Sequence, residues 1–256
     1  MVAKAKTLGM RHLAITDHGN MFGALHFYRE CIKNDINPIV GCEFYVAPGN
    51  RNIKAGNEKG SRSNHLILLA KNYQGYKNLM ILASKAYTEG FYYKPRIDDE
   101  LLEKYGSDLI CTSSCLAGYI PRKLLDNQQE DAKNKALYYQ DLFGKGNYYL
   151  ELQDHGIPEQ KIVNEKMINL SRETGIPLVA TNDMHYLDRE DANAQDILIC
   201  IGTNKKKHEV NRMKFSSSEF YMKTKEEMYE TFKDIPEALN NTYKIAESCT
   251  LKISLP

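Results

Sequence analysis

Six short apolar segments alternate with helix-like segments along most of the chain, and this order constrains the fold more than any other feature. The apolar segments lie at 13–16, 38–46, 66–70, 109–112, 148–152 and 178–181. Short apolar runs bounded by turn residues are typical of buried strands. A strand followed by a helix, repeated along the chain, predicts an α/β protein with a parallel sheet.

The helix-like segments show apolar residues at helical spacing and clear start and stop signals. Pro158 predicts the start of one helix and Gly175 its end. The chain itself begins with a helical segment, before its first visible strand. The predicted helices cover 2–8, 21–33, 73–88, 98–105, 121–127, 130–143, 159–174, 193–201, 218–232 and 236–249.

Composition narrows the classes of function that the chain can serve. The 256 residues carry a net charge of +1, so overall charge does not indicate a nucleic-acid partner, and any such contact must use local patches. Six scattered cysteines in a chain of this size favour reduced thiols and a cytoplasmic protein. We find no signal peptide, no membrane-spanning run and no glycine-rich nucleotide-cofactor loop.

Residues of the types that bind metals appear at the ends of the predicted strands. Since the carboxyl ends of parallel strands meet at one rim of a barrel, we expect these side chains to converge. His65 alone precedes its strand, so either that strand runs in the other direction or its boundary is misplaced. Imidazole, carboxylate and thiolate groups together suit zinc, manganese or iron. The residues are Asp17, His18, Glu43, His65, Cys115, Glu151, His155, Asp183 and His185.

Each of these residues also has a purely structural interpretation. His65 can be a hydrogen-bonded core residue, Cys115 a small apolar filler, and Glu151 a helix cap or the partner of an arginine. Asp183 and His185 are harder to dismiss, because alternate residues of an extended segment point the same way. The other histidines, His12, His26 and His208, are given no functional role.

Several short motifs occur together in an order that resembles the polymerase and histidinol phosphatase (PHP) domain. The closest resemblance is to the version in bacterial DNA polymerase III alpha subunits. Residues 215–249 resemble the helical passage from that domain towards the polymerase palm. The motifs lie at 16–20 (TDHGN), 41–43 (GCE), 65–66 (HL), 90–96 (GFYYKPR), 111–118 (CTSSCLAG) and 182–186 (NDMHY).

The resemblance implies a distorted seven-stranded β/α barrel with up to three metal ions and phosphoesterase activity of the 3′–5′ exonuclease type. Asp17 would lie behind the ligands and orient an imidazole, and Glu151 and His155 are weaker catalytic assignments. The metal ligands implied by the resemblance are His18, Glu43, His65, Cys115, Asp183 and His185.

The family begins with a strand bearing His-x-His, and this chain starts after it. We therefore expect six strands, with 13–16 and 178–181 as unpaired edges. We also expect fewer metal ions and an impaired site in residues 1–256, because the missing imidazoles would separate the remaining carboxylates.

Two regions and several partners follow from the same resemblance. Residues 1–202 would form the barrel, and residues 203–256 a basic loop and helical connector towards the polymerase core. Partners would be DNA, through the parent polymerase, and other replicase subunits. We expect the loops at 48–64 and 203–214 to be mobile without DNA and to contact phosphates through Arg51, Lys54, Lys59, Arg62 and Lys205, Lys206 and Lys207.

Two alternatives remain open at this point. One is a free-standing phosphoesterase of the histidinol-phosphatase type, against which the 90–96 segment and the helical tail argue. The other is a non-catalytic module that stabilises the polymerase and binds its partner subunits.

Overall fold

A single curled sheet organises the chain. The computed structural model describes residues 1–54 and 63–254. The sheet order is β1-β2-β3-β5-β6-β7, with β4 beside β2, and it curls into a half-barrel that confirms the predicted α/β class. The strands are β1 (His12–Ile15), β2 (Asn37–Val46), β3 (Asn64–Ala70), β4 (Arg96–Ile97), β5 (Leu109–Thr112), β6 (Tyr148–Leu152) and β7 (Leu178–Ala180).

Ten α-helices and one short 3₁₀ helix, Arg189–Asp191, connect and cover the strands in the described residues. Asn72 caps α3 by accepting hydrogen bonds from the backbone N–H groups of the first turn, as its residue type favours. The helices are α1 (Val2–Thr7), α2 (Ala24–Lys33), α3 (Tyr73–Thr88), α4 (Asp99–Tyr105), α5 (Tyr119–Leu125), α6 (Gln129–Phe143), α7 (Pro158–Thr174), α8 (Ala192–Thr203), α9 (Lys225–Thr231) and α10 (Pro236–Ser248).

The sheet is mixed, so the prediction of a parallel sheet is wrong at one strand. β1 and β2 are parallel, as are β5, β6 and β7, but β3 is antiparallel to both of its neighbours. His65 therefore pairs with Tyr45 near the end of β2. Of the two explanations for the position of His65, reversal of its strand is correct, because the reversal brings the start of β3 to the common rim.

The two faces of the sheet pack differently. The outer face packs Phe44, Leu68 and Leu150 against helices α3 to α7. The concave face carries an apolar layer that α10 covers with Ile245 and Ala246. Because side chains alternate along a strand, Glu43 shares the concave face with this layer but lies closer to the rim. The strand residues of the layer are Ile39, Leu69, Ile110, Tyr149 and Val179.

Helix α10 closes the end of the half-barrel opposite to the rim. The Asn241 amide donates to the Leu178 carbonyl at 2.7 Å, and the Asn37 amide donates to the Cys249 carbonyl at 3.1 Å. His12 lies at this closed end, where its Nε2 is 3.2 Å from the Glu247 carboxylate. The rim with the strand ends therefore lies at the end of the fold that α10 does not cover.

The half-barrel has two edges. β1 pairs with β2 and β7 pairs with β6, and within residues 1–54 and 63–254 neither strand has a second neighbour. This agrees with the prediction that both strands are edges.

The predicted helix over 218–232 is wrong in its first half. Residues 218–223 are not helical, and Tyr221 forms a bridge with Tyr186. Helix α9 begins after Thr224, whose hydroxyl accepts from the Glu227 N–H while the Glu227 carboxylate accepts from the Thr224 N–H. This capping box fixes the start of the helix, and pairing of Phe220 and Tyr221 with the segment after β7 keeps the preceding residues out of it.

The prediction that Arg51 contacts a phosphate is wrong, because carboxylates of the protein itself bind its guanidinium. It is only 7% exposed, and its guanidinium binds the carboxylates of Glu89, Asp98 and Glu100. Burial with three carboxylates makes Arg51 an anchor for the loop. In the other basic loop, Lys205 pairs with Glu209 and the Lys207 ammonium donates to the Asn193 side chain. Lys54 and Lys206 are exposed, and Lys59 and Arg62 lie outside the described residues.

None of the helices in the described part of the chain has the length and apolar character needed to cross a membrane.

Candidate metal centre

The turn after β1 carries His18 to the side of β2. Glu43 N–H donates to the Asp17 carbonyl at 3.1 Å, and Gly19 N–H donates to the Glu43 carbonyl at 2.9 Å. Gly19 has φ +65°, a left-handed conformation that glycine adopts readily. The short apolar run followed by TDHG therefore encodes a turn that places the His18 ring next to Glu43.

Three side chains from separate segments meet at this point. Each of His18, Glu43 and His65 offers one ligand atom within 4.8 Å of the others. His65 Nδ1 lies 2.7 Å from one Glu43 carboxylate oxygen, and His18 Nδ1 lies 3.4 Å from the other. We call these three residues the triad. Two imidazoles that share one carboxylate form a compact set of donors for a cation.

The Glu43 carboxylate is buried, at 5% exposure, whereas the His18 side chain is 42% exposed. Ser114 donates its hydroxyl to the Glu43 oxygen that contacts His65, at 2.9 Å. Burial lowers the pKa of His18, which favours the neutral imidazole with a free lone pair. The triad therefore combines a fixed carboxylate with an accessible neutral imidazole.

Cys115 is the fourth sequence-predicted ligand to reach this point. Its Sγ lies 3.8 Å from His65 Nδ1 and 3.9 Å from the nearer Glu43 oxygen. Burial, and then the charge of Glu43, raise the pKa of the Cys115 thiol. A cation at the triad would favour the thiolate and so recruit Cys115 as a ligand.

Asp183 and His185 form a second pair on the other side of His18. His185 Nε2 lies 3.3 Å from the Asp183 carboxylate, and the rings of His18 and His185 are 6.4 Å apart, centre to centre. Burial opposes ionisation of both groups, yet their mutual contact raises the pKa of His185 and lowers that of Asp183. Asp183 has φ +44°, an uncommon backbone conformation for a residue with a side chain.

Glu151 lies in a separate, fully hydrogen-bonded cluster. Its carboxylate accepts from the hydroxyls of Thr112 and Thr181 and from the Gln153 amide, the last at 2.8 Å. Its backbone N–H donates to the Ser113 hydroxyl at 2.8 Å. Burial raises the pKa of Glu151, and the three donors only partly offset this. Glu151 shows no hydrogen bond to the triad in the described residues.

Both ring nitrogens and one face of the His155 ring have partners. Its Nε2 donates to the Asn182 carbonyl at 2.7 Å, and its Nδ1 accepts from the Gln160 amide at 2.8 Å. The ring stacks on Phe220 at 3.9 Å between centres. Burial lowers the pKa of His155, so the neutral ring is favoured. Asp17 also stays apart, since its exposed carboxylate makes no hydrogen bond to an imidazole in the described residues.

Two residues at the site had no individual signal in the sequence. Tyr45 contacts both triad histidines, with ring centres 5.9 Å from His18 and 5.1 Å from His65. Ser114 has φ +63°, which turns its hydroxyl towards Glu43. Only its position directly before Cys115 pointed to a role.

The donors present fit a divalent metal ion. The partners of the Glu43 carboxylate in the described residues are imidazoles, a hydroxyl and a thiol, with no lysine or arginine to neutralise it. Nitrogen, oxygen and sulfur donors in this combination suit zinc, manganese or iron.

Comparison with known proteins identifies the family. The sequence model of the PHP domain matches residues 1–155. The chain belongs to the PHP domain family. The resemblance noted from the motifs is thus confirmed.

Similar proteins are DNA polymerase III alpha subunits from several bacteria. The chain is 55% identical to that of Borreliella burgdorferi, 52% to that of Treponema pallidum and 42% to that of Helicobacter pylori. Each match covers the whole of this chain but 22% of the relative. This PHP domain therefore spans about a fifth of the length of the curated relatives that it matches.

Proposed function

We propose that this PHP domain belongs to a replicative DNA polymerase III alpha subunit and carries a metal-dependent phosphodiesterase site of the 3′–5′ exonuclease type. The observation that carries the proposal is the meeting of His18, Glu43 and His65 from three separate segments within 4.8 Å. The named relatives favour DNA and other replicase subunits as partners and a cytoplasmic location.

The residues that would hold metal are the triad, with Cys115 beside it and Asp183 and His185 across from His18. A bound zinc, manganese or iron ion would lower the pKa of water and stabilise charge on a phosphodiester. His18 lies between His65 and His185, with its ring centre 5.2 Å and 6.4 Å from theirs. This spacing between the triad and the Asp183–His185 pair suits more than one ion.

The protein's own residues set the geometry of the proposed site. Ser114 fixes the rotation of the Glu43 carboxylate through its 2.9 Å hydrogen bond. Because Glu43 is buried and His18 is exposed, substrate would approach from the His18 side. Contact with His185 favours the charged form of Asp183. The Asp183 carboxylate would lie on the side from which the substrate approaches.

For the three residues that the sequence assigned to catalysis, we propose supporting roles. Glu151 joins β5, β6 and β7 through its hydroxyl and amide donors. His155 ties the loop after β6 to Asn182, next to Asp183. Asp17 supports the turn through its carbonyl, which accepts from Glu43 N–H. Each would position the metal ligands without contacting the substrate.

We also propose that residues 1–202 form the nuclease-like barrel and residues 203–256 lead towards the polymerase core. Packing of α10 on the concave face supports the idea that the helical segment 203–256 is docked on the barrel. The helical connector and the relatives' identity favour this assignment over a free-standing phosphoesterase.

The test uses the full-length alpha subunit with Glu43→Gln, which keeps the shape of the side chain and removes its charge. We expect release of 3′-terminal nucleotides from a single-stranded oligonucleotide to fall at least about 100-fold. DNA synthesis by the same preparation reports on folding of the rest of the subunit.

Glu247→Gln is the matched control, because Glu247 also pairs with a histidine, 3.2 Å away, but at the closed end. Equal nuclease rates for Glu43→Gln and Glu247→Gln would refute the assignment. Hydrolysis of a small phosphomonoester in preference to DNA would favour a free-standing type of phosphoesterase. Absence of nuclease activity from the parent subunit, with DNA synthesis intact, would favour a non-catalytic structural module.

A further inference from the structure

The aromatic and basic segment 90–96 connects α3 to β4 and has a fixed shape. Arg96 is buried, and its guanidinium donates to the carbonyls of Gly90 and Arg51, both at 2.9 Å. A Cβ at Gly90 would overlap the carbonyl group of Arg96, so the two ends of the segment are in direct contact. We call residues 90–96 the connector loop.

The connector loop packs directly on the metal centre. A Cβ added to Gly19 would lie 2.8 Å from the Pro95 ring and 3.2 Å from the Tyr45 ring. Only glycine therefore allows this approach of the loop to the turn that carries His18. Since Tyr45 contacts both triad histidines, Pro95 places the tip of the loop beside the triad.

Two side chains at the tip are presented to solvent. Lys94 is exposed, its ammonium lies 5.4 Å from the centre of the Tyr45 ring, and within the described residues it forms no ion pair with a carboxylate. Tyr93 is 67% exposed and has φ +58°, an unusual conformation for an aromatic residue. The Tyr93 ring packs edge-on against Tyr92, with ring centres 4.6 Å apart, and still leaves most of its surface exposed. An uncommon backbone conformation that holds a large exposed ring beside the metal centre points to a binding role.

An exposed cation beside an exposed aromatic ring is the combination with which proteins bind single-stranded nucleic acid. The cation contacts a phosphate, and a base stacks on the ring without regard to sequence. The Tyr45 ring lies between Lys94 and the triad histidines. The Lys94 ammonium would therefore bind a phosphate other than the one at the metal centre. A small phosphate ester would not extend that far, whereas a polynucleotide would.

We propose that Tyr93 and Lys94 form a subsite for single-stranded nucleic acid, in which Lys94 binds the phosphate next to the scissile one and Tyr93 stacks on a base. The inference rests on the proposed phosphodiesterase function and adds the residues that select a polynucleotide. The subsite binds substrate, and the metal ligands perform the chemistry.

The experiment compares Tyr93→Ala and Lys94→Met in the full-length subunit with two matched controls. Tyr73 and Lys77 are also an exposed tyrosine and an exposed lysine, with the Lys77 ammonium 5.4 Å from the Tyr73 ring centre, but they lie on α3 at the closed end. Tyr73→Ala and Lys77→Met therefore remove the same groups away from the rim.

The first measurement is kcat/KM for a single-stranded oligonucleotide divided by kcat/KM for bis(p-nitrophenyl) phosphate. Each subsite variant should lower this ratio about tenfold, mainly through the KM for the oligonucleotide. The control variants should keep the ratio of the parent protein. Ratios that are the same in subsite and control variants would overturn the proposal.

The second measurement does not depend on hydrolysis. An oligonucleotide with 5-iododeoxyuridine near its 3′ end is irradiated with the subunit, and the crosslinked peptide is identified by mass spectrometry. A crosslink at Tyr93 that is lost in Tyr93→Ala supports the subsite, and crosslinks that avoid residues 90–96 refute it. If the parent protein hydrolyses neither substrate, the proposed function fails, while this measurement still decides the subsite.

Discussion

The glutamate and histidines near the end of β2 differ in their surroundings from the glutamate and histidine near the end of β6, although the residue types are the same. Glu43 is contacted by two imidazoles that a cation could bind from the same side. Glu151 is surrounded by donors that a cation would have to displace. His155 has both ring nitrogens in hydrogen bonds, whereas His18 is partly exposed. A residue type at a strand end therefore becomes a ligand only where the fold leaves its lone pairs accessible.

The largest expected effect in this comparison is the loss of folding stability in His155→Ala. His155→Ala leaves the Asn182 carbonyl and the Gln160 amide without their partner and removes the ring stacked on Phe220. We expect the free energy of unfolding of the chain to fall by about 3 kcal/mol. Chemical denaturation followed by circular dichroism measures this.

His26→Ala serves as the control, because His26 is exposed on α2. It should change the free energy of unfolding by no more than about 0.5 kcal/mol. Equal effects of the two substitutions would show that His155 is not a structural residue.

An intermediate effect is expected from two adjacent serines, each of which serves one of the two clusters. Ser114 donates to Glu43, and Ser113 accepts from the backbone N–H of Glu151. Ser114→Ala should weaken zinc binding to the full-length subunit about tenfold, because Glu43 loses the group that orients it. Ser113→Ala should leave zinc affinity unchanged, and competition with a chromogenic chelator measures both. A larger loss of affinity in Ser113→Ala would reverse the assignment of the clusters.

The smallest effect concerns the pH dependence of stability at Glu151. Burial raises its pKa above the ordinary value of 4.5, so the folded chain binds the proton more tightly than the unfolded chain. Its contribution to stability is therefore present below pH 4.5 and is lost as the pH rises through the folded pKa. Glu151→Gln should therefore gain stability relative to the parent as the pH rises from 5 to 8, because only the parent must ionise a buried group.

Thermal unfolding of both chains across this pH range is the measurement. A difference that shrinks with rising pH would show that the three donors, and not burial, dominate the pKa of Glu151.

Much of the fold follows from local signals in the sequence. Helix α3 spans Tyr73–Thr88 as the pattern predicted, and Pro158 begins α7 as its residue type predicted. Such signals act within one turn of a helix, so they are readable without knowledge of the tertiary structure.

The direction of β3 and the hydrogen-bond partners of the two glutamates could not be predicted from the sequence. An apolar run reads the same in either direction, so reversal of β3, and with it the place of His65, depends on pairing with β2 and β5. The residue types of Glu43 and Glu151 are identical, and only distant partners such as Thr181 and Ser114 separate their environments. The candidate ligands were thus predictable as a set, but their grouping was not.

Zinc binding to the full-length subunit and its His18→Ala variant tests the central claim, that the triad is a metal site, most directly. Equilibrium dialysis followed by elemental analysis gives the bound metal, and His12→Ala is the control because His12 also pairs with a glutamate, at the closed end. We expect His18→Ala to bind zinc at least about tenfold more weakly than the parent and His12→Ala to match the parent. Zinc binding by His18→Ala with the parent's stoichiometry and affinity would contradict the assignment of the triad.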